Sequence, residues 1–298
     1  MPVPIGLDNL VYAKMIDDPV GGTASYEEPV KIPGAISANI NPNSSQDTLF
    51  ADNGPYETAT TIGAISLELN VADLPIEIQA DLLGHTLEGG ILKRRSSDIP
   101  PWVAVGFRAL KSNGKYRYTW LNKGKFGASE QNNQTKADSI NWNTPTITGS
   151  FAKRDSDDEW ERHIDEDNID YVASMGADWF KGPLAVGSGS TADPLAVANV
   201  VPANNATAVA VGASIVWTFN NALALSTATT SNFMIINTTT GAPVAGSLTI
   251  DGARKVVTFK PSANLTAATK YSAIVTTGVR DINGSTLDTN SSTTFTTA

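Results

Sequence analysis

The sequence of 298 residues contains no cysteine and only two histidines, His85 and His163. Without cysteine, disulfide bonds and thiolate metal sites are excluded. Only these two histidines could serve as the general base of a Ser-His-Asp site, and the sequence has no Gly-x-Ser-x-Gly motif for the nucleophile. We interpret His85, which directly follows the expected helix-ending Gly84, as a cap for helix carbonyl groups.

Several other signatures are also missing. There is no P-loop, no dinucleotide-binding glycine pattern and no zinc pattern. No apolar run approaches the roughly 20 residues that span a bilayer. Residues 1–14 lack the basic front end and continuous apolar stretch of a signal peptide. We therefore expect no cofactor, no metal, no membrane partner and no catalytic residue. The chain is predicted not to be an enzyme, and to be made in the cytoplasm without a visible export address.

An acidic run at residues 155–170 is the feature closest to a catalytic or metal site. It surrounds Trp160 with Asp155, Asp157, Asp158, Glu159, Glu161, Asp165, Glu166 and Asp167. The EF-hand spacing, with its central glycine and terminal glutamate, is absent. We interpret the run as a solvated charged face with Trp160 packing inward. The alternative is an acid/base pair, as in glycoside hydrolysis.

Basic residues are scarce, and only Lys93, Arg94 and Arg95 form a tight cluster. The favoured interpretation is that they solubilise a turn. The alternative is contact with phosphate or with an acidic neighbouring subunit.

The chemical character of the chain changes near Pro194. Residues 1–192 hold 26 acids, 16 bases and five of the six tryptophans, whereas the remainder holds four acids and five bases. The acidic first part argues against gripping DNA, because phosphate neutralisation requires clustered Lys and Arg. We predict two domains, residues 1–183 and 197–298, joined by a flexible linker at 184–196 that is rich in Gly and Ser.

The first part is predicted to be mostly strands. Extended segments are expected at 30–40, 60–71 and 144–151, and a hairpin at 103–126 turns at Asn113-Gly114. Asp73 as N-cap, Pro75 in the first turn and Gly84 as a stop predict one short helix. Its Leu74, Ile78 and Leu82 form an apolar stripe for packing on a sheet.

The second part is predicted to be a β-sandwich of immunoglobulin (Ig) type. Seven short strands are expected, at 208–211, 215–219, 233–236, 244–250, 256–259, 271–276 and 293–297. Trp217 and Phe219 alternate along one strand and should share its core face. The spacing from Leu265 to Tyr271 indicates a lock similar to a tyrosine corner.

An ordered set of segments in the first part resembles one known family. These segments are GLDNLVYAKM, LFADN, LLGH, PPWVAVGFRALKSNGKYRYTWLNKGKF and NWNTPTITGSF, spread over residues 6–180. Together they resemble the major tail protein of long-tailed phages of Gram-positive bacteria. The resemblance implies a mainly all-β chain: a tail-tube β-sandwich or barrel with one flanking α-helix, followed by the Ig-like sandwich.

The same resemblance implies a structural virion protein. It implies hexameric rings that stack into a tail tube, assembled in the host cytoplasm, through which DNA passes during ejection without specific binding. The expected partners are other copies of the chain and the tape measure, terminator and distal tail proteins. We also predict that part of the acidic excess faces the lumen, because an acidic wall lets DNA slide.

Residues 41–59 are predicted to be a long polar loop with a turn at Asn53-Gly54-Pro55. Long loops in compact domains are often functional, so this one is our candidate for contact with a neighbouring subunit. The predicted interface residues are Leu49, Phe50, Asp52, Asn53 and Tyr56. The alternative is an Ω-loop packed on its own domain.

The second part resembles the bacterial Ig-like modules appended to surface-layer and other cell-surface proteins. The segments that carry this resemblance are VVPANNATAVAVGASIVWTFNNAL, KVVTFKPSANLTAATKYSAIV, GVRDINGSTL and STTFTT. Displayed in many copies, such a module could hold host cell-wall glycans weakly. Two rival functions stay open: a cell-surface adhesin or surface-layer protein, and a glycan hydrolase with an accessory Ig module.

Overall fold

The computed structural model describes residues 2–128, 142–186 and 194–298. The chain divides into two compact units, one of Met1–Asp167 with Val172–Ala185 and the other of Asn168–Tyr171 with Val186–Ala298. Most of the predicted flexible linker, at 187–193, lies outside the described residues, so its exact limits stay a prediction.

The first unit is built on one open, antiparallel sheet, as the mainly β prediction requires. Its strands in chain order are β1 Pro4–Asp17, β2 Ser25–Tyr26, β3 Val30–Lys31, β4 Ala35–Ala51, β5 Gly54–Val71, β8 Val103–Lys111, β9 Tyr116–Phe126, β10 Thr146–Ala152 and β11 Glu161–Asp165, and a separate small hairpin joins β6 Thr86–Glu88 to β7 Ile91–Lys93. The order across the sheet is β2-β1-β8-β9-β10-β5-β4, with β3 added to β1 and β11 added to β9.

The hairpin of β8 and β9 forms where it was predicted. Its turn places Gly114 at φ 79°, a left-handed conformation that favours glycine. Within the sheet, β10 alternates buried and exposed side chains, and its Phe151 meets Phe126 of β9 edge to face at a centroid distance of 5.9 Å. This alternation decides which side chains form the core, since every second side chain of a strand points to the same face of the sheet.

The predicted helix α1 spans Ile76–Leu83 and buries the expected apolar stripe. It ends at Gly84, whose φ of 70° and closeness to the Ile99 carbonyl leave no room for a side chain. The predicted N-cap is wrong: Pro75 occupies that position, and Asp73 accepts a hydrogen bond from the Leu74 amide instead. The ring of Pro75 restricts the backbone angle φ at the start of the helix, and no side chain caps the first turn.

A second, unpredicted helical segment, α2 at Ala173–Asp178, runs into a 3₁₀ turn at Trp179–Lys181. No helix of the described ranges is long and apolar enough to cross a membrane.

The loop predicted at residues 41–59 is wrong, and so is the Ω-loop alternative. This part of the chain belongs to β4 and β5, which pair from Ala35↔Val71 to Ala51↔Gly54. Asp52 and Asn53 form the two-residue turn, with φ of 49° and 61°. The polar residues that suggested a loop include Ser and Thr, and β-branched Thr pairs well across antiparallel strands.

The second unit is an Ig-like sandwich, as predicted. Its strands are β12 Val197–Val201, β13 Ala206–Val209, β14 Ile215–Phe219, β15 Phe233–Asn237, β16 Gly246–Ile250, β17 Val256–Pro261, β18 Lys270–Val275 and β19 Ser291–Thr297. One sheet has the order β12-β14-β17-β16 and the other β13-β19-β18-β15. β12 was missed because its exposed and half-buried side chains give no clear alternation.

Two predicted details of the second unit are confirmed. Trp217 and Phe219 are buried on one face of β14, and each meets Phe233 edge to face. The Tyr271 hydroxyl accepts a 2.9 Å hydrogen bond from the Thr266 amide, which is the lock expected from the spacing.

Candidate assembly interface

The outer half of the β4–β5 hairpin, residues 41–64, has no buried residue, and we call it the arm. The inner half differs sharply, since Ile65, Leu67, Leu69 and Val71 of β5 are all buried in the core of the first unit. The arm is therefore held by its own cross-strand pairing. At about 3.3 Å per residue, twelve residues of strand extend about 40 Å.

Paired hydroxyl groups and two bulges shape the arm. Ser45 faces Thr61 with their hydroxyl oxygens 2.8 Å apart, and Thr48 faces Thr58 at 3.3 Å. Near the tip, Leu49 pairs with Glu57 while Phe50 pairs with Pro55, so Tyr56 is the extra residue of a bulge. Bulges of this kind re-aim side chains and limit further pairing along an edge.

The five predicted interface residues lie together at the tip of the arm. Leu49, Phe50 and Tyr56 are 60%, 70% and 71% exposed, and Asp52 with Asn53 forms the turn. Large apolar side chains on an exposed hairpin indicate a surface that becomes covered by a partner. Their role at a subunit interface stays a prediction.

The charge of the arm has one sign. Residues 41–64 contain Asp47, Asp52 and Glu57 but neither Lys nor Arg. Among the described residues, none of these three carboxylates forms an ion pair. A partner surface with basic groups would therefore complement the arm.

A cavity of about 730 Å³, which sequence reasoning missed, opens at the base of the arm. Its lining includes Ile62, Trp102, Lys125, Ser150, Lys153 and Trp160. The Lys125 ammonium lies 4.6 Å from the centroid of the Trp102 ring, a cation–π arrangement. No local sequence signal could have found this cavity, because its walls come from five separate segments. We call it the base pocket.

The carboxylates of the acidic run form ion pairs, and Asp155, Asp157 and Asp158 are also exposed to solvent. The interpretation as a solvated charged face is correct for these three residues, but it missed the ion pairs. The fully buried Arg154 side chain binds Asp157 and Glu159, each at 2.6 Å, while Lys111 binds Asp165 and Asp167. The basic partners come from β8, from β9 and from the chain beside the run, and pairing of this kind compensates charges taken out of water. The expectation for Trp160 is confirmed, since it packs against the core.

Lys123 on β9 links the acidic run to Asp18, the residue that follows β1. Its ammonium lies 2.7 Å from both Asp18 and Asp155, and the Asp155 and Ser156 amides also donate to Asp18. Burial alone would raise the pKa of Asp18, but the hydrogen bonds from Lys123 and the two amides lower it to about 2. Asp18 and Asp155 are therefore structural partners of Lys123, and an acid/base pair elsewhere in the run stays a hypothesis.

The two histidines and the basic cluster also have structural surroundings. The His85 imidazole does not cap helix carbonyls, although the His85 amide donates to the Ala80 carbonyl. The ring Nδ1 lies 2.7 Å from Asp98, and the Arg95 amide donates to the same carboxylate. Hydrogen bonds from the Arg95 amide and from His85 lower the pKa of Asp98. His163 is exposed and lies 3.9 Å from Glu161. Lys93 binds Glu88 and Arg94 donates to Gln79, and the interpretation that the cluster solubilises a turn stays a prediction.

Within residues 2–128, 142–186 and 194–298, no group of three or more His, Cys, Asp or Glu side chains is arranged to hold a metal ion. The candidate site is therefore described by shape, apolar surface and charge.

Comparison with solved structures gives only remote likenesses. The N-terminal part of the bacterial S-layer protein SbsC is 21% identical over 36% of this chain and 24% of that one, with a TM-score of 0.29. Native alpha-2-macroglobulin from Escherichia coli, over domains MG0-NIE-MG1, is 16% identical over 38% of this chain and 34% of that one, also at 0.29. The chain thus spans about a third or less of these proteins, and such scores carry no argument about function. No curated protein matches the chain.

Two protein families match the two parts of the chain. Residues 191–297 match the family described as bacterial Ig-like domain. Residues 23–184, more than half of the chain, match the family described as phage tail tube protein. The second match covers the first unit from β2 onward, including the arm and the ion-paired acidic run, but not β1. The chain therefore belongs to the phage tail tube protein family and is a structural protein of a bacteriophage tail that carries a bacterial Ig-like domain.

Proposed function

We propose that the chain polymerises as stacked hexameric rings into a tail tube that conducts DNA during ejection. The arm is the observation that carries this proposal. An isolated hairpin is at best marginally stable in water, so about twenty exposed residues of hairpin with an apolar tip favour a partner surface. Copies of the same chain supply that surface in every ring.

The exposed edge of the sheet supports the same assembly. β4 is a 17-residue strand at the end of the sheet order, paired on one side with β5. Such an edge is a template for pairing with another chain unless something covers it. Closing a ring of identical subunits would cover the edge in each of them.

The charge of the first part suits a conduit. Its excess of acids would give a lumen wall that repels phosphate weakly, so DNA would slide without specific binding. The tape measure, terminator and distal tail proteins would bind the ends or the interior of the tube during assembly in the host cytoplasm. This function requires no catalysis.

We propose that the Ig-like unit is displayed outside the tube. Its near-neutral composition and the Gly/Ser-rich sequence before it support this place. Repetition along a tail can raise avidity by roughly 10²- to 10⁴-fold, so weak contacts with host cell-wall glycans would be sufficient for adhesion.

Electron microscopy of the full chain tests the proposal. Concentrated protein, with the other tail proteins supplied as initiator where needed, should form rings or tubes in negative stain. A control with Phe50→Asp and Tyr56→Asp should remain monomeric at the same concentration. If the wild-type chain stays monomeric with the initiator complex present, the tube function is wrong, and a surface-layer or adhesin role must be reconsidered.

A further inference from the structure

The arm tip is apolar and acidic, whereas the base pocket is lined by aromatic rings, two lysines and one carboxylate, Asp158. The tip presents Leu49, Phe50 and Tyr56 beside carboxylates that have no ion-pair partner among the described residues. The base pocket presents Trp102, 39% exposed, beside Lys125 and Lys153. Its volume of about 730 Å³ lies within the range of cavities that enclose a compact apolar group.

The cations of the base pocket are available to a partner. Among the described residues, no carboxylate lies within ion-pair distance of the Lys125 ammonium. This ammonium instead makes a cation–π contact with the ring of Trp102. Lys153 pairs with Asp158, but both side chains are largely exposed, and exposed pairs contribute little. A carboxylate from a partner would therefore meet the ammonium of Lys125, which has no carboxylate partner among the described residues, and that of Lys153, whose pairing with Asp158 is weak.

A chain cannot place its own arm tip in its own base pocket. Ile62 at the pocket lies six positions after Tyr56 along β5, which is about 20 Å of strand. That distance exceeds the reach of any side chain, and the strand pairing between the two points keeps the hairpin extended. Only another molecule can bring such a tip to this pocket.

We infer that the base pocket receives the arm tip of a second copy of the chain. The inference rests on the tube assembly proposed above and names the surfaces through which copies join. Because tip and pocket are different surfaces, the contact is heterologous, so it repeats from copy to copy instead of closing a two-fold dimer. The apolar side chains enter beside Trp102 and Trp160, and Glu57 reaches Lys125.

Cysteine cross-linking of the full chain tests this contact, since the sequence has no cysteine of its own. Ala51 lies beside the turn without being one of the apolar anchors, and Ser150 lines the base pocket. Assembled protein carrying both Ala51→Cys and Ser150→Cys should, on oxidation, lose its monomer band to a ladder of linked oligomers. A matched variant with Ala51→Cys and Ile91→Cys should not, because Ile91 is exposed but does not line the pocket.

The results separate the two proposals. Tubes without the Ser150 ladder, or with an equal ladder in the Ile91 control, overturn the base pocket contact and leave the tube function standing. Failure of the wild-type chain to assemble overturns both. A ladder specific to Ser150 supports both.

A charge exchange tests the role of Lys125 within the contact. Lys125→Glu or Glu57→Lys alone should raise the concentration needed for assembly by about fivefold, the factor for an ion pair near 1 kcal/mol. The double variant should return close to the wild-type value. Single variants without effect, or no recovery in the double variant, would remove Lys125 from the contact.

Discussion

The two halves of the β4–β5 hairpin share one pairing ladder but have opposite surroundings. Inner residues such as Leu67 and Leu69 are fully buried, whereas no residue between 41 and 64 is. The inner half therefore gains the burial of apolar surface that dominates folding stability, and the arm does not. The comparison indicates that the inner half maintains the fold of the subunit, while the arm is available for assembly.

Replacing a buried leucine should give the largest effect. Leu67→Ala removes a side chain with no exposed surface and should lower the free energy of unfolding by roughly 2–5 kcal/mol. Leu49→Ala, the matched change on the arm, should stay within about 0.5 kcal/mol. Calorimetry of the full chain under conditions that keep it monomeric measures both. Equal losses at the two positions would show that the arm packs on its own subunit.

Ion-paired carboxylates of the first unit, such as Asp18, should make the free energy of unfolding depend on pH. The pKa of Asp18 is lowered in the fold from 3.8 to about 2. Its contribution, about 2 kcal/mol, is therefore complete above pH 4 and is lost as the pH falls toward 2. Asp18→Asn should be less stable than the wild type at pH 7, and the gap should shrink toward pH 2.

The matched control for this prediction is Glu57→Gln on the arm. Its carboxylate forms no ion pair among the described residues, so at pH 7 the change should stay within about 0.5 kcal/mol. Denaturant unfolding at pH 7, 4 and 2 gives the three differences. A gap between Asp18→Asn and the wild type that is the same at every pH would contradict the account of Asp18.

Local signals predicted some of the regular elements, but not β1, β11, β12 or α2. The Asn113-Gly114 turn, the Gly84 stop and the alternation in β14 each depend on residues within one turn or strand. The arm was misread because Ser, Asn and Asp favour both turns and solvated strands, and the pairing that decides between them is made by the facing strand.

Long-range partners could not be predicted from spacing. Lys123 and Asp18 are 105 residues apart, and the acidic run shows no sign in the sequence that bases from β8 and β9 neutralise it. The base pocket is assembled from separate segments in the same way. Leu49, Phe50 and Tyr56 could be singled out, since large apolar side chains stand out in a polar stretch, and their role at an interface stays a prediction.

Sedimentation velocity of the arm-tip variant tests the central claim most directly. The account predicts that Phe50→Ser with Tyr56→Ser keeps the unfolding temperature of the wild type but sediments as a monomer where the wild type forms rings or tubes. Each lost apolar anchor should weaken assembly by about tenfold or more. A variant that assembles as readily as the wild type would contradict the role of the arm.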